Sequence, residues 1–194
     1  MPKVKNLNGA KSIFVANVKG GVGKSSVAMN LAGGLSKLGY RVGLMDADVH
    51  GPSAPIMLGV TERPEALPDE YLMPVIAHGM KTMSIGYIID ERRAIDWRGV
   101  LASGTLLQFI QRTFWGELDY LVFDLPPGTG DIQLSLAQKI KVTGSLLVTT
   151  PQDVALADVY RAKSMFDRVR IPVTGIVENM SYFVGDDGKR YDIF

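Results

Sequence analysis

The sequence predicts an α/β fold, a mostly parallel β-sheet with helices on both faces. Short apolar runs alternate with amphipathic stretches along almost the whole chain, the pattern of strands joined by crossover helices. A glycine-rich run, Lys19-Gly20-Gly21-Val22-Gly23, separates the first apolar run from the first amphipathic stretch. With 194 residues, 46% of them hydrophobic, the chain can bury one substantial sheet. No apolar run approaches the roughly 18 residues that a membrane span needs.

The elements follow in order. Residues 12–17 predict the first strand and 24–38 the first helix, with Val27, Leu31, Leu35 and Leu38 on one face and Gly39 ending it. Residues 41–46 read as a buried parallel strand through Val42, Leu44 and Met45. Two short strands at 71–77 and 80–86 suggest a hairpin across His78-Gly79. A helix over 100–114, a strand over 119–125, a helix over 131–140 and a strand over 145–150 come next. A helix over 153–168 and a strand over 173–178 complete the alternation. Residues 1–11 read as an N-terminal extension and 12–194 as one domain.

Composition narrows the function classes. The net charge is +1 with no long basic block, so neither nucleic acid nor an acidic membrane is advertised as a partner. The first residues lack the apolar core of a secretory signal, and the expectation is a cytoplasmic protein. The chain contains no cysteine, which excludes a disulfide, a thiolate nucleophile or a cysteine-ligated metal within it.

Lys19-Gly20-Gly21-Val22-Gly23-Lys24-Ser25-Ser26 lies between a strand and a helix, the context of a phosphate-binding loop. Glycines let successive backbone N–H groups close around phosphate oxygens. Lys24 would reach the β- and γ-phosphates and the Ser25 hydroxyl would ligate Mg²⁺. The usual opening glycine is replaced by Val18. Three further segments fall at expected strand ends, where ligands of such folds bind. In Asp46-Ala47-Asp48, one carboxylate can face Mg²⁺ and the other an attacking water; an Asx-turn into Gly51-Pro52 is the alternative. Asp124 ends an apolar run in the manner of a Mg²⁺-holding aspartate, and Pro126-Pro127-Gly128-Thr129-Gly130 behind it reads as a switch loop. Gly128 could offer its N–H to a γ-phosphate. Asn179 could contact an adenine edge or cap a turn. The guanine-reading N-K-x-D and T-K-x-D patterns are absent, which favours ATP over GTP.

The run K-G-G-x-G-K-S/T resembles the deviant Walker A loop of dimerising P-loop ATPases, a group that includes the nitrogenase iron protein and the Min and Par ATPases. With Ala47 to Ser53, Asp124 to Asp131, Thr149-Thr150-Pro151-Gln152-Asp153 and Glu178 to Phe183 in order and spacing, the chain resembles the Mrp/ApbC family from about residue 12 onward. The resemblance implies a nucleotide-sandwich homodimer that hydrolyses ATP slowly, with Lys19 reaching the partner's nucleotide and Asp48 orienting water. It places Gly20, Gly21, Val22, Gly23, Lys24, Ser25, Ser26, Gly128 and Asn179 around ATP, and Ser25, Asp46 and Asp124 around Mg²⁺. It also implies an iron–sulfur cluster and, as partners, iron–sulfur apoproteins or an assembly partner.

The chain departs from that family at the cluster. Where the family pattern places C-P-x-C-G, Gly185-Asp186-Asp187-Gly188-Lys189 stands here, one residue shorter. Aspartates are hard oxygen donors and Asp-Asp-Gly reads as a hairpin turn. The family also continues past Phe194, so part of the adenine pocket and sheet edge is expected to be missing. His50 could sense nucleotide or simply hold its loop, and His78 reads as a turn residue. Trp97, Trp115 and the Leu106-Leu107-Phe109-Ile110 cluster fit either core packing or a partner face. The competing functional readings are a Min- or Par-like positioning ATPase cycling on membrane or DNA, an ATP-binding adaptor without turnover, and, more distantly, a small-molecule ligase.

Overall fold

Strand β1 (Lys11–Ala16) is the apolar run before the glycine-rich loop, and its last residues, Phe14 to Ala16, are fully buried. The computed structural model describes residues 9–49, 51–88 and 103–192. Beside β1 stand β5 (Tyr120–Asp124) and β6 (Gly144–Thr149), both parallel to it. With β2 (Val42–Asp46), β3 (Val75–Ala77), β4 (Met80–Ser84) and β7 (Val173–Glu178), they form a seven-stranded sheet in the order β3-β4-β2-β5-β1-β6-β7. All neighbouring pairs are parallel except β3 with β4. Every residue of β2 is buried, as a parallel strand covered on both faces requires.

Five helices accompany the sheet among the described residues: α1 (Lys24–Lys37), α2 (Ala54–Leu58), α3 (Ser103–Arg112), α4 (Asp131–Lys139) and α5 (Asp153–Arg168). Helix α1 packs on β1, β2 and β5, α5 packs on β6, and α3 lies against α4. At the centre, Phe14 and Phe123 are register partners on β1 and β5, with rings 5.3 Å apart in an edge-to-face arrangement. Trp115, Leu106 and Ile110 are buried in the same core, so the 106–110 cluster serves packing. Trp97 and His50 lie outside the described residues.

Local chemistry explains where the boundaries differ from expectation. Strand β3 starts only at Val75 because Pro74 lacks an N–H for the ladder. The hairpin turn is His78-Gly79, both with positive φ (49° and 77°), the two-residue turn that matches strand twist. Strand β4 stops at Ser84, whose hydroxyl accepts the Gly86 N–H and turns the chain into a short 3₁₀ segment, Ile85–Tyr87. Helix α2 was not expected; it follows Pro52-Ser53 with Pro55 in its first turn. Strands β8 (Phe183–Val184) and β9 (Arg190–Tyr191) pair antiparallel as a separate hairpin, as the Asp-Asp-Gly sequence suggested.

Two strand registers position the site. Asp46 of β2 and Asp124 of β5 are ladder partners, and Val15 of β1 pairs with Asp124 from the other side. The carboxyl ends of the three central strands therefore open together. At their amino ends Arg41 binds Asp119: its N–H and its Nη2 each lie 2.8 Å from a carboxylate oxygen. These bonds hold the Asp119 carboxyl down at about 2. A depressed carboxylate pKa adds stability above its unfolded value of about 3.8 that is lost as pH falls toward 2. Asp119→Asn is therefore expected to melt below wild type at pH 7, with the two melting curves converging between pH 4 and pH 2.

Candidate nucleotide site

The loop between β1 and α1 is shaped by left-handed glycines. Gly21 and Gly23 have φ of +85° and +83°, a conformation that costs a side-chain-bearing residue roughly 1–2 kcal/mol. Gly23 is the N-cap of α1 and supplies no side-chain cap, and no acidic residue occupies the first turn. The first N–H groups of α1 thus keep their donors for an anion. A cavity of about 220 Å³ lies over them, lined by the loop glycines, Lys24, Ser25, Ser26, Asp48, Asn17 and Pro127. Lys19, next in sequence to the lining residue Gly20, is exposed, and Val22 is buried.

Asn179, just past the end of β7, closes the back of the loop. Its side-chain amide donates to the Val22 carbonyl at 2.9 Å, and its own N–H donates to Thr149 O at 2.8 Å. A Cβ on Gly23 would fall 2.2 Å from Asn179 Nδ2. The structure therefore packs Asn179 against the phosphate loop.

Lys24 is only 6% exposed and its ammonium pairs with the Asp124 carboxylate, which is fully buried. The same Nζ lies 3.2 Å from Ser25 Oγ and 3.9 Å from an Asp48 oxygen. The second oxygen of Asp124 is buried without a partner. One lysine thus draws together Ser25, Asp48 and Asp124, three of the residues singled out in the sequence. Asp124 and Ser25 are hard oxygen donors, and the open valence on Asp124 suits a water of a Mg²⁺ shell.

Asp46 has a different employment. One of its oxygens accepts the Asp48 N–H at 3.1 Å; the other accepts from Ser53 N, Ala54 N and Ser84 Oγ, each at 3.0 Å. Burial pushes its carboxyl up to about 6, with the Asp124 charge adding to the rise and the donors opposing it. Asp46 ties the segment carrying Asp48 to β4 and to the start of α2. Asp48 in turn accepts the Gly51 N–H at 3.3 Å, so the Asx-turn is present as well. Sequence reading missed Ser84, which nothing in a single sequence connects to Asp46.

Behind Asp124 the 126–130 loop is held at two points. Gln133 of α4, 1% exposed, donates to the Pro126 carbonyl. Gly128, at φ +106°, gives its N–H to Asn17 O at 3.1 Å. Gln133 and Asn17 also went unread; their only signal was a polar residue at a position whose neighbours are apolar or loop-forming.

At the other end of the chain, the 185–188 turn is self-satisfied. Asp187 accepts from Lys189 N at 3.0 Å and from Tyr191 OH at 2.8 Å, and Arg190 stacks 4.2 Å from the Tyr182 ring. Among the described residues no group of three or more His, Cys, Asp or Glu side chains could hold a metal ion.

Substitutions at Gly23 and at Asp46, each with a companion, read this geometry directly. Gly23→Ala is expected to lower stability and abolish nucleotide binding; adding Asn179→Ala removes the clash but leaves the φ strain, so binding stays lost in a fluorescent-nucleotide titration. Asp46→Asn keeps one carbonyl oxygen for the three converging donors and turns its amide N–H against the Asp48 N–H. It is expected to cost about 1–3 kcal/mol in chemical denaturation, more than Ser84→Ala, which removes one of the four bonds.

The family model for the ParA-type NUBPL iron-transfer P-loop NTPases matches residues 8–194. The iron–sulfur cluster carrier protein of Escherichia coli K12 is 52% identical over 189 residues, 95% of this chain and 51% of its own length. That of Deinococcus radiodurans is 52% identical over 196 residues, 100% of this chain and 55% of its own. The chain spans about half the length of these curated relatives. A nucleotide-binding protein of Archaeoglobus fulgidus, solved in complex with ADP, superposes with a TM-score of 0.85 at 40% identity, over 99% of this chain and 76% of that one. The cell division ATPase MinD of Pyrococcus furiosus, at a TM-score of 0.68 and 20% identity over 87% of this chain and 71% of that one, shares the fold. With its sheet order, its phosphate loop and these matches, the chain belongs to the NUBPL iron-transfer family of P-loop NTPases.

Proposed function

We propose that this chain is a slow, dimer-dependent Mg²⁺-ATPase of the iron-transfer family that works without holding a cluster on its own side chains. The observation that carries the ATPase reading is the buried Lys24–Asp124 pair beneath a loop whose N–H donors are uncommitted. In this reading residues 12–194 act as one domain. The N–H groups of Gly20 to Ser26 cradle the phosphates and Lys24 leaves Asp124 for the β- and γ-phosphoryl oxygens. Ser25 and Asp124 hold Mg²⁺, which neutralises phosphate charge when bound; Asp46 shapes the neighbouring loop instead of entering that shell. Asp48 orients a water whose oxygen attacks the γ-phosphorus as the bond to the ADP oxygen breaks, releasing ADP and phosphate. Gly128 registers the γ-phosphoryl group, and Asn179 braces the loop near the base. Lys19, exposed beside Gly20, serves the nucleotide of a second copy of the chain.

The cargo reading is constrained by chemistry. Iron–sulfur clusters take soft thiolate ligands, and the chain has none. The Asp187 oxygens are already engaged by Lys189 and Tyr191. The carrier relatives at about half identity support cluster traffic as the context, so the ATPase would act with a cysteine-bearing partner and with recipient apoproteins. We place it in the cytoplasm; no helix among the described residues is long and apolar enough to cross a membrane.

Titration with a fluorescent ATP analogue and steady-state hydrolysis test this. Wild type should bind Mg²⁺-ATP below millimolar concentration and turn it over slowly. Lys24→Ala should lose both, and Lys19→Ala should keep binding but lose at least tenfold in turnover. No binding at millimolar nucleotide would sink the reading. Anaerobic reconstitution with iron and sulfide should leave the isolated chain without a stoichiometric cluster, whereas a defined cluster spectrum would overturn the cargo part alone.

A further inference from the structure

Asn17, the residue between β1 and the phosphate loop, is 4% exposed and lines the cavity. Its polar groups point three ways. The side-chain amide donates to the Lys19 carbonyl. The main-chain carbonyl accepts the Gly128 N–H at 3.1 Å. The side-chain oxygen is buried with no partner at all. Buried acceptors are satisfied in the great majority of native sites, so an orphan beside a ligand cavity points to a group that arrives with the ligand.

We propose that Asn17 is a positioning residue that couples the phosphate loop to the switch loop, holding Lys19 through its amide and releasing Gly128 from its carbonyl only when a γ-phosphoryl group is present. The proposal rests on the reading of the cavity as a nucleoside triphosphate site. The Gly128 N–H is a single donor. A phosphoryl oxygen is charged and is the stronger acceptor, so a triphosphate competes for that donor and a diphosphate, lacking the γ group, leaves it with Asn17. The loop is anchored at Pro126 by Gln133, so an exchange at Gly128 moves the segment beyond the anchor, Gly128 to Gly130, rather than the whole loop. Because the same residue grips the Lys19 carbonyl, the Lys19 cation is set from the strand end that feels the switch. Once the triphosphate and its waters fill the cavity, the orphan oxygen of Asn17 has a water to accept from.

The carbonyl that holds Gly128 belongs to the main chain and survives any substitution. The side chain's own tasks are the tether to the Lys19 carbonyl, which holds that peptide in place, and the open acceptor. Aspartate keeps the acceptor but loses the donor to Lys19 and adds a charge against the phosphates. Leucine keeps the volume and loses both polar functions, and alanine opens a cavity besides.

The test compares wild type with Asn17→Leu and, should the leucine variant fold poorly, Asn17→Ala. Three quantities are read: the dissociation constants for fluorescent ADP and a non-hydrolysable ATP analogue, kcat and KM for ATP, and amide exchange of the peptide containing Gly128. In wild type that peptide should exchange differently with the ATP analogue than with ADP. In the variants the difference should vanish, ADP affinity should stay within threefold, and kcat should fall at least tenfold with KM within threefold. A structural role alone would lower the melting temperature and ADP affinity together with kcat, and that pattern would overturn the proposal. So would variants whose kcat stays within twofold of wild type and whose exchange difference persists. If wild type binds ATP but shows no turnover, the ATPase reading fails while the exchange comparison still decides the coupling; if it binds no nucleotide, both fall.

Discussion

The rest of the site depends on one buried ion pair. Lys24 opens α1 with its ammonium inside the protein, and Asp124 meets it from the end of β5. Removing either partner from such a pair costs about 3–5 kcal/mol, because the remaining charge is buried alone. The pair therefore keeps a lysine poised beneath the phosphate loop at a tolerable cost. It also bears on anion binding. Asp48 and Asp124 face the same lysine, and Asp46 stands beside Asp124 on the ladder. Burial, with the Asp124 charge adding to it, pushes Asp46 up to about 6, and a triphosphate would bring further negative charge to this place. An anion that takes Lys24 leaves the Asp124 carboxylate buried without its cation, so a second cation at that place would offset the charge.

The parallel ladder makes this arrangement possible. Residues on neighbouring strands fall side by side, so the Asp46–Asp124 register brings two carboxylates together without any loop having to do so. The loops then hang from the strand ends by specific bonds. Four donors on Asp46 fix the segment bearing Asp48, Gln133 fixes Pro126, and Asn17 joins Lys19 to Gly128. Each loop around the cavity is thus tied to rigid structure by at least one specific bond.

Much of this was legible in the sequence where one physical cause acts locally. The glycines at 21 and 23 announce left-handed backbone, His78-Gly79 announces a hairpin, and the alternation of runs announces a parallel sheet; each is a property of adjacent residues. Lys24, Ser25 and Asp124 were readable because strand ends and loop spacing constrain them. Asp46 shows the limit. An aspartate at a strand exit looks the same in sequence whether its oxygens face a metal or cap the next helix, and the deciding donors, Ser84 and the backbone of Ser53 and Ala54, come from a neighbouring strand and a helix that the pattern did not reveal. Asn17 is similar: its role exists only where the switch loop returns to β1. The antiparallel place of β3 beside β4 followed from the hairpin, but its shortness followed from Pro74.

The nucleotide end and the hairpin end of the molecule answer to different chemistry, and here the two have parted. At the strand ends, hard oxygens, ammonium groups and backbone N–H donors fit phosphate and Mg²⁺. In the hairpin, the donors available are again hard oxygens, and Tyr191 and Lys189 occupy those of Asp187. A soft iron–sulfur cluster would have to displace a tyrosine hydroxyl and a backbone N–H to gain a carboxylate it binds poorly. The hairpin, closed by that carboxylate and by Arg190 stacked on Tyr182, keeps its shape without metal. The chemistry that this chain gathers therefore lies at the strand ends, over the phosphate loop, and the 185–188 turn stands apart from it as a closed structural element.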